Sequence, residues 1–409
     1  MKILLSDGSG LTARQVAGRL ADAGHRVEVL SPDGLCLCRF TRHVRRVHRV
    51  PGYGADPLGW LDAALAVYRA GGFDVLFPTQ EQVAALSHAA GRLAGGGIRT
   101  AVPPFEAVRA VQDKVSASAT LGALGLPQPP TAFVGSADDL RAWRSFPVFI
   151  KVPIGTATTS VRRIGSAAAL RSAAAELEAA GVFAGGGVVA QEPAAGPLVM
   201  AQSVFARGDM VAAHANLRVR EGAGGGASHK RSLDQPAEVI KHLGSLGRSL
   251  RWHGGLSADA IATQMGPVFI DVNPRLVEPG NAWRSGVDLT GALLDVACAG
   301  QPAAQPPGRP GVATHQLLLA ILGAGAGGRG RRGVAAEILA ALAHGGSYRG
   351  SAEELTPVRG DPLAAVPVIA TAAALLIRPA LWRQFTSGSV AGYALTPAGW
   401  DQLLSVSPA

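Results

Sequence analysis

Two carboxylates and an amide are spaced to meet on one face of a hairpin in the stretch Ser257 to Arg275, SADAIATQMGPVFIDVNPR. Polar and apolar residues alternate from Ser257 to Ala262 and again from Val268 to Asn273, around the turn residues Thr263 to Pro267. With the turn centred on Met265, Asp259 lies as far before it as Asp271 lies after it, so the two carboxylates oppose each other across the ladder. Asn273 points the same way. Like charges directly opposite each other weaken a strand pair, and a cation among them removes that cost. Hard oxygen ligands suit Mg²⁺ or Mn²⁺, with water and nucleotide phosphates completing the shell. A solvated polar face on an ordinary hairpin is the alternative at this point.

The elements upstream supply matching anion-binding groups. In Pro103 to Gln128 a helix from Phe105 ends near Gln112, and a second opens at Asp113-Lys114, runs to Leu124 and is stopped by Gly125 and Pro127. A lysine at a helix start opposes the helix dipole, so Lys114 is either a solvated side chain or one waiting for an anion. Val148 to Ile150 is a buried strand with Lys151 at its exit, followed by the small-residue loop Gly155, Thr156 to Ser160. Backbone N–H groups of such a loop can wrap phosphate oxygens, with Lys151 as the point charge; a basic residue before a plain hairpin loop reads the same way. Val188 to Gly196 is a strand that runs into Gln191, Glu192 and Pro193, an unpaired segment able to present backbone groups to a purine edge. Met200 to Ala206 and Met210 to Leu217 form a hairpin. Arg218 to Ser232, glycine-rich before His229, Lys230 and Arg231, reads as a flexible basic loop that closes over anionic intermediates, or as a disordered surface loop. Pro236 to Trp252 is a helix that leads into the carboxylate hairpin.

The chain begins with a βαβ pattern: strand Lys2 to Leu5, the turn Asp7-Gly8-Ser9-Gly10, helix Leu11 to Ala23 and strand Arg26 to Leu30. That turn could receive a phosphate or carboxylate at the helix N-terminus, although the full G-x-G-x-x-G pattern is absent. A helix from Pro57 to Ala70, a strand at Asp74 to Phe77, a helix from Gln82 to Ala94 and a strand at Arg99 to Val102 complete a parallel α/β domain over residues 1 to about 105.

Composition bounds the partners. At 409 residues and 48% apolar, the chain holds two to four subdomains with ample core. The net charge of +9 fits anionic partners. Aromatics at 5% and the lack of any zinc-finger or RNA-binding signature argue against nucleic acid. Cys36, Cys38 and Cys298 cannot all pair and read as reduced thiols. The N-terminus resembles no signal peptide, and the longest apolar run, Leu363 to Ile377, is short for a membrane span. It reads as a buried helix, with an interfacial helix as the alternative. A cytoplasmic protein with no membrane span is expected.

Taken in order, Asp113-Lys114, Phe149-Ile150-Lys151, Gln191-Glu192, Asp259 and Asp271-Val272-Asn273-Pro274-Arg275 resemble the motif set of the ATP-grasp ligases, over roughly residues 1 to 300. The last block is similar to the family's E-x-N-P-R metal motif with Asp in place of Glu. The resemblance implies an N-terminal parallel α/β domain (1–105), a two-lobed ATP-grasp domain (106–300, lobes about 106–190 and 191–300) and a mostly α appended region (301–409). It implies ATP gripped by Lys114, Lys151 and the Gly155-Thr156 loop, adenine facing Gln191, Glu192 and Pro193, and two Mg²⁺ (or Mn²⁺) ions on Asp259, Asp271 and Asn273. Arg275 would reach a substrate carboxylate or the transferred phosphate, and His229, Lys230 and Arg231 would shield an acylphosphate from water. The chain departs from the family where Ser160 stands near a usual glycine and where Leu198 stands at a usual ribose-binding acid, with Gln202 as a substitute.

The leading expectation is a carboxylate–amine ligase working on small-molecule acids and amines. A carboxylase or carbamoyl-phosphate type enzyme, a purine-pathway ligase and an idle ATP-binding regulator are the alternatives. No biotin-accepting A-M-K-M segment is present, and there is only one grasp unit. Residues 301–409 would close the substrate pocket or form a homodimer interface.

Overall fold

The structure, a computed structural model, describes residues 1–155, 160–300 and 302–409. Strands β1 (Lys2–Leu5), β2 (Arg26–Ser31), β3 (Val44–Arg49) and β4 (Val75–Phe77) form a parallel sheet in the order β3-β2-β1-β4. Ile3, Leu4 and Leu5 are fully buried, as the central strand of a parallel sheet covered on both faces requires. The helix Pro57–Gly71 has a complete set of end signals. Asp56 accepts from the Gly59 N–H at 2.9 Å, Pro57 opens the first turn, and Gly72 closes the helix in the left-handed conformation.

Three local readings are corrected here. The expected helix from Gln82 to Ala94 is two short ones, Val83–His88 and Ala90–Gly95, interrupted at Ala89 (φ −98°, ψ 20°). Arg99 to Val102 is irregular chain, with a bond from the Leu76 N–H to the Arg99 carbonyl at 2.9 Å. Pro103 and Pro104 follow at once and have no N–H to extend a ladder. β3 was not foreseen, because its pattern VRRVHR is that of a charged edge strand.

Strands β5 (Thr131–Val134), β6 (Val148–Lys151), β7 (Val161–Ile164) and β8 (Val188–Gln191) form an antiparallel sheet ordered β5-β8-β6-β7. It is backed by the helix Ala167–Ala179 through Leu170, Ala173, Ala174 and Leu177.

The largest sheet holds β9 (Leu198–Ala206), β10 (Asp209–Glu221), β11 (Ala227–Ser232), β12 (Gly254–Thr263), β13 (Gly266–Asn273), β14 (Ala313–His315) and β15 (Ala352–Glu353). Their order is β13-β12-β9-β10-β11-β14-β15. One face is apolar: Val199, Ala201, Ala215, Ala258 and Ala260 pack on Val239, Leu243 and Leu246 of the helix Ala237–Ser249. The other face carries Asp259, Gln202, His214, Asn216 and Lys230. The period-2 alternation that separates the two faces is visible along each strand.

Arg218 to Ser232 is therefore not a loop. It is the end of β10, a short turn and β11, with Lys230 registered on Arg218 and Arg231 on Leu217. The glycines at 222, 224, 225 and 226 form only the turn.

Residues 301–409 do more than append helices. β14 and β15 extend the central sheet, and Trp400 and Leu403 of the helix Pro397–Ser405 enter the same core as Trp60 and Leu61. In the helix Ala365–Ile377 only Thr371 and Leu375 are buried, so the expectation of a buried helix is corrected to a partly exposed one. Among the described residues no helix is long and apolar enough to cross a membrane. The three cysteines are unpaired, and burial pushes the Cys36 and Cys38 thiols up, away from reactive thiolate.

Candidate active site

The β12–β13 hairpin sets Asp259 directly opposite Asp271 and Ser257 opposite Asn273. The strand alternation thus places two carboxylates and an amide on the polar face, as their spacing implies. Burial pushes the Asp259 carboxyl up to about 7, and the facing Asp271 adds to that, while Arg218 and Arg275 oppose it. Among the described residues no three His, Cys, Asp or Glu side chains gather as a protein-only metal cage. Two carboxylates and one amide oxygen instead match an ion that takes the rest of its shell from water and phosphate, so the donor set fits a Mg²⁺–nucleotide.

Lys114 reaches this pair from the start of a helix. Asp113 caps the helix Lys114–Ala123 by accepting from the Ser116 N–H at 2.7 Å. The cap fixes Lys114 in the first turn, against the dipole, where its ammonium sits 3.8 Å from Asp271 Oδ1 and donates to the Gly155 carbonyl at 3.3 Å. Lys151, at the end of β6, is buried and donates to Gln191 Oε1 at 2.7 Å and to the Ile270 carbonyl. Burial draws its ammonium down to about 8, Asp271 opposes that shift and Lys114 adds to it. An anion beside Lys151 would favour its charged form. Lys114, Lys151, Gln191, Asp271 and Gln128 line one cleft between the two sheets.

Gly155 has φ 152°, and a Cβ there would stand 2.7 Å from the Ser160 Cβ. The loop is closed by the Val152 N–H bonding the Ser160 carbonyl at 3.0 Å. Thr156 lies outside the described residues. Gln191 also donates to Thr131 Oγ1 at 2.9 Å. The Glu192 N–H is taken by the Pro130 carbonyl (2.9 Å) and its carboxylate by Ser145 Oγ (2.9 Å), so both are occupied within the chain. Pro193 is exposed just beyond.

Other expected site residues are placed differently. Gln202 is buried and its oxygen accepts from the Val277 N–H at 3.0 Å, which holds the segment between Arg275 and Glu278. His229 and Arg231 flank Lys230 on β11 and so face the opposite side of the sheet. There His229 accepts or donates to Ser347 Oγ at 3.1 Å and stacks on His315 with ring centroids 5.7 Å apart. Burial holds both imidazoles down to about 4. His229, Lys230 and Arg231 all border one pocket, with Leu217, Arg218 and Ser347.

Lys230 itself is buried between Glu278 Oε2 and Glu354 Oε1, 2.7 Å from each. Arg275 is buried on the polar face, and its Nε has no partner. The Asp7 carboxylate takes the Ser9 N–H (3.0 Å) and the Gly10 N–H (2.6 Å), so the anion site expected in that turn is filled from within. Glu354 and Gln316 carry no sequence signal, since they come from a region without motif. Asn216 could have been noticed as a polar residue at an inward position of a strand.

No protein-family model matches the chain, and no curated protein matches it in sequence. Solved structures do resemble it. The biotin carboxylase domain of 2-oxoglutarate carboxylase from Hydrogenobacter thermophilus, a dimer in complex with MgADP, ADP and bicarbonate, is similar at TM-score 0.59 and 16% identity, over 76% of this chain and 73% of that one. N5-carboxyaminoimidazole synthetase from Staphylococcus aureus is similar at 0.58 and 14%, over 77% and 82%. L-amino acid ligase from Bacillus licheniformis is similar at 0.55 and 16%, over 73% and 74%. The architecture these proteins share is the ATP-grasp fold, and the chain has it.

Proposed function

We propose that this ATP-grasp chain is a carboxylate–amine ligase that uses ATP to activate an acid as an acylphosphate and joins it to an amine. The observation that carries this reading is the Asp259–Asp271 pair, registered across the β12–β13 hairpin with the Lys114 ammonium 3.8 Å from Asp271. A regulator that only binds a nucleotide has no need for two directly opposed carboxylates beside two lysines.

In this reading Lys114 and Lys151 hold the phosphates of ATP as point charges. Asp259, Asp271 and Asn273 hold Mg²⁺, which when bound neutralises charge on the transferred phosphoryl group. Gln191 and the chain at Pro193 border the adenine. Arg275 offers a guanidinium to the substrate carboxylate. The acid's oxygen attacks the terminal phosphorus and ADP leaves; the amine's lone pair then attacks the acyl carbon, and phosphate leaves with the C–O electron pair while the amine loses a proton. The protein's part is positioning and charge neutralisation.

Bicarbonate-dependent carboxylation is the second reading, favoured by the likeness to the biotin carboxylase domain and to N5-carboxyaminoimidazole synthetase at TM-scores 0.59 and 0.58. ADP release, measured with Mg²⁺ and paired acids and amines, separates the two. ADP only when acid and amine are both present supports the ligase, ADP with bicarbonate supports the carboxylase, and AMP as product rules out the acylphosphate route.

A further inference from the structure

The helix Ala365–Ile377, AVPVIATAAALLI, is apolar on every side, with Thr371 its only polar side chain. A helix of that composition is normally covered all round. Here one side is covered and the other is bare. Thr371 and Leu375 are buried, and Val368 and Ala372 join Leu375 in the core around Leu322 and Val334. On the other side Val366, Ile369, Ala373 and Leu376 recur every three or four residues, so they share one face along the whole helix. All four are exposed, as is Ile377; Ile369 reaches 64% and Ile377 71%. The helix Gly330–Leu342 packs alongside and leaves Leu339 and Leu342 exposed as well. Apolar surface gathered in this way marks a contact site.

The charge around the face selects the partner. Arg331, Arg332, Arg359, Arg378 and Arg383 are all exposed, and none makes an ion pair among the described residues. Arg331 donates through Nη2 (2.7 Å) and Nε (3.2 Å) to the Ile377 carbonyl, which pins a guanidinium to one end of the bare face. Arg378 follows Ile377 directly, and Arg359 stands shortly before the other end of the helix. The acids of the same region are turned inward. Glu337 pairs with Arg220, Asp361 with Arg14 and Glu354 with Lys230. The Glu353 carboxylate takes the N–H groups of Leu317, Leu355 and Thr356. The charge left free to meet a partner is therefore positive. A second copy docked about a two-fold axis would set arginine against arginine whichever way the helices ran, because both ends of the face carry it. At 13 residues the helix is about 20 Å long, short of the roughly 30 Å of a bilayer core. It has the length and the two-sided chemistry to lie flat in an anionic lipid interface.

We propose that the bare face of the helix Ala365–Ile377, with the arginines at its ends, docks this protein on an anionic lipid bilayer. Val366, Ile369, Leu376 and Ile377 enter the boundary between headgroups and acyl chains, and Arg331 and Arg378 meet lipid phosphates. None of these residues lines the nucleotide cleft, so docking is separable from the ligase reading.

Co-sedimentation of the full chain with lipid vesicles tests the docking face. The chain is expected to bind vesicles of mixed phosphatidylcholine and phosphatidylglycerol at least tenfold more tightly than vesicles of phosphatidylcholine alone. The net charge of +9 by itself draws the chain to anionic vesicles, so the deciding variant keeps the charge. Ile369→Ser with Ile377→Ser is expected to weaken binding at least tenfold, and Arg378→Gln by a smaller factor. Undiminished binding of the serine variant means that charge alone holds the chain, and it overturns the proposal. Equal binding to the two vesicles, or binding to neither, does the same. Hydrogen exchange on the unaltered chain reads the face without a variant. Phosphatidylglycerol vesicles should slow exchange in residues 365–377, and slowing confined to other segments overturns the proposal. Sedimentation velocity without lipid reports the competing occupant. A dimer that the serine variant turns into a monomer assigns the face to a second copy and overturns docking on lipid.

Discussion

Asp271 and Lys114 show how much one side chain owes to its register. Asp271 stands opposite Asp259 because a strand's side chains repeat every two residues, and Lys114 reaches Asp271 because Asp113 caps the helix ahead of it. Asp271→Asn is expected to cut ADP formation by about a hundredfold, the scale of one lost preorganised charge, with an unchanged circular-dichroism spectrum; a coupled ADP assay measures it. Gly155 is held at φ 152° against Ser160. Gly155→Ala is therefore expected to cost about 1–3 kcal/mol of stability, read as a lowered urea midpoint. The placement of the carboxylate pair, both lysines and Gln191 was legible in the sequence because the pair follows from strand alternation about a turn and the other three sit at a strand or helix end. The hydrogen bond from the Val277 N–H to the Gln202 oxygen had no local signal, because it joins residues far apart in the chain.

At the scale of elements, the β10–β11 hairpin is the clearest departure from the sequence reading. Glycines and basic residues from Arg218 to Ser232 suggested an open loop. Pairing with β10 on one side and β14 on the other makes it a central part of the sheet. In a loop, removing the Lys230 charge would cost little. In its buried place, Lys230→Met is expected to cost about 3–5 kcal/mol, because two carboxylates lose their common partner; chemical denaturation checks it. The reverse face of the same strands makes a second prediction. His229 and His315 are held at about 4, below the ordinary 6.5, by burial first and by neighbouring cationic or imidazole groups next. Between pH 6.5 and 4 the unfolded chain binds protons that the folded one does not. Stability therefore falls as pH drops through that window and is unaffected above it. Urea midpoints at pH 7 and pH 5 should differ, and His229→Gln with His315→Gln should narrow the gap.

Across the whole molecule, the C-terminal region ties the parts together. β14 and β15 lengthen the central sheet, the strap at 389–396 covers the first turn and Glu81, and Trp400 and Leu403 complete the core of the N-terminal sheet. Trp400→Ala is expected to destabilise the N-terminal part by about 3–5 kcal/mol. Hydrogen exchange should then quicken in β1 and β4 well before it does in β12 and β13. If residues 397–405 were only an appendage, exchange in β1 and β4 would not change.

The sequence by itself determined what depends on local pattern: the parallel β1–β2 start, the β12–β13 register and the capped helix at Lys114. Period-2 and period-3.6 alternation, caps and turn residues act over a few neighbours, so they can be read without the fold. Only the tertiary structure decided what depends on distant segments meeting. It brought Glu354 and Gln316 to Lys230, filled the first-turn anion site with Asp7, turned His229 and Arg231 away from the cleft and sent Trp400 back to the first core. Those outcomes follow from burial and pairing between residues far apart in the chain, for which no local spacing carries a signal.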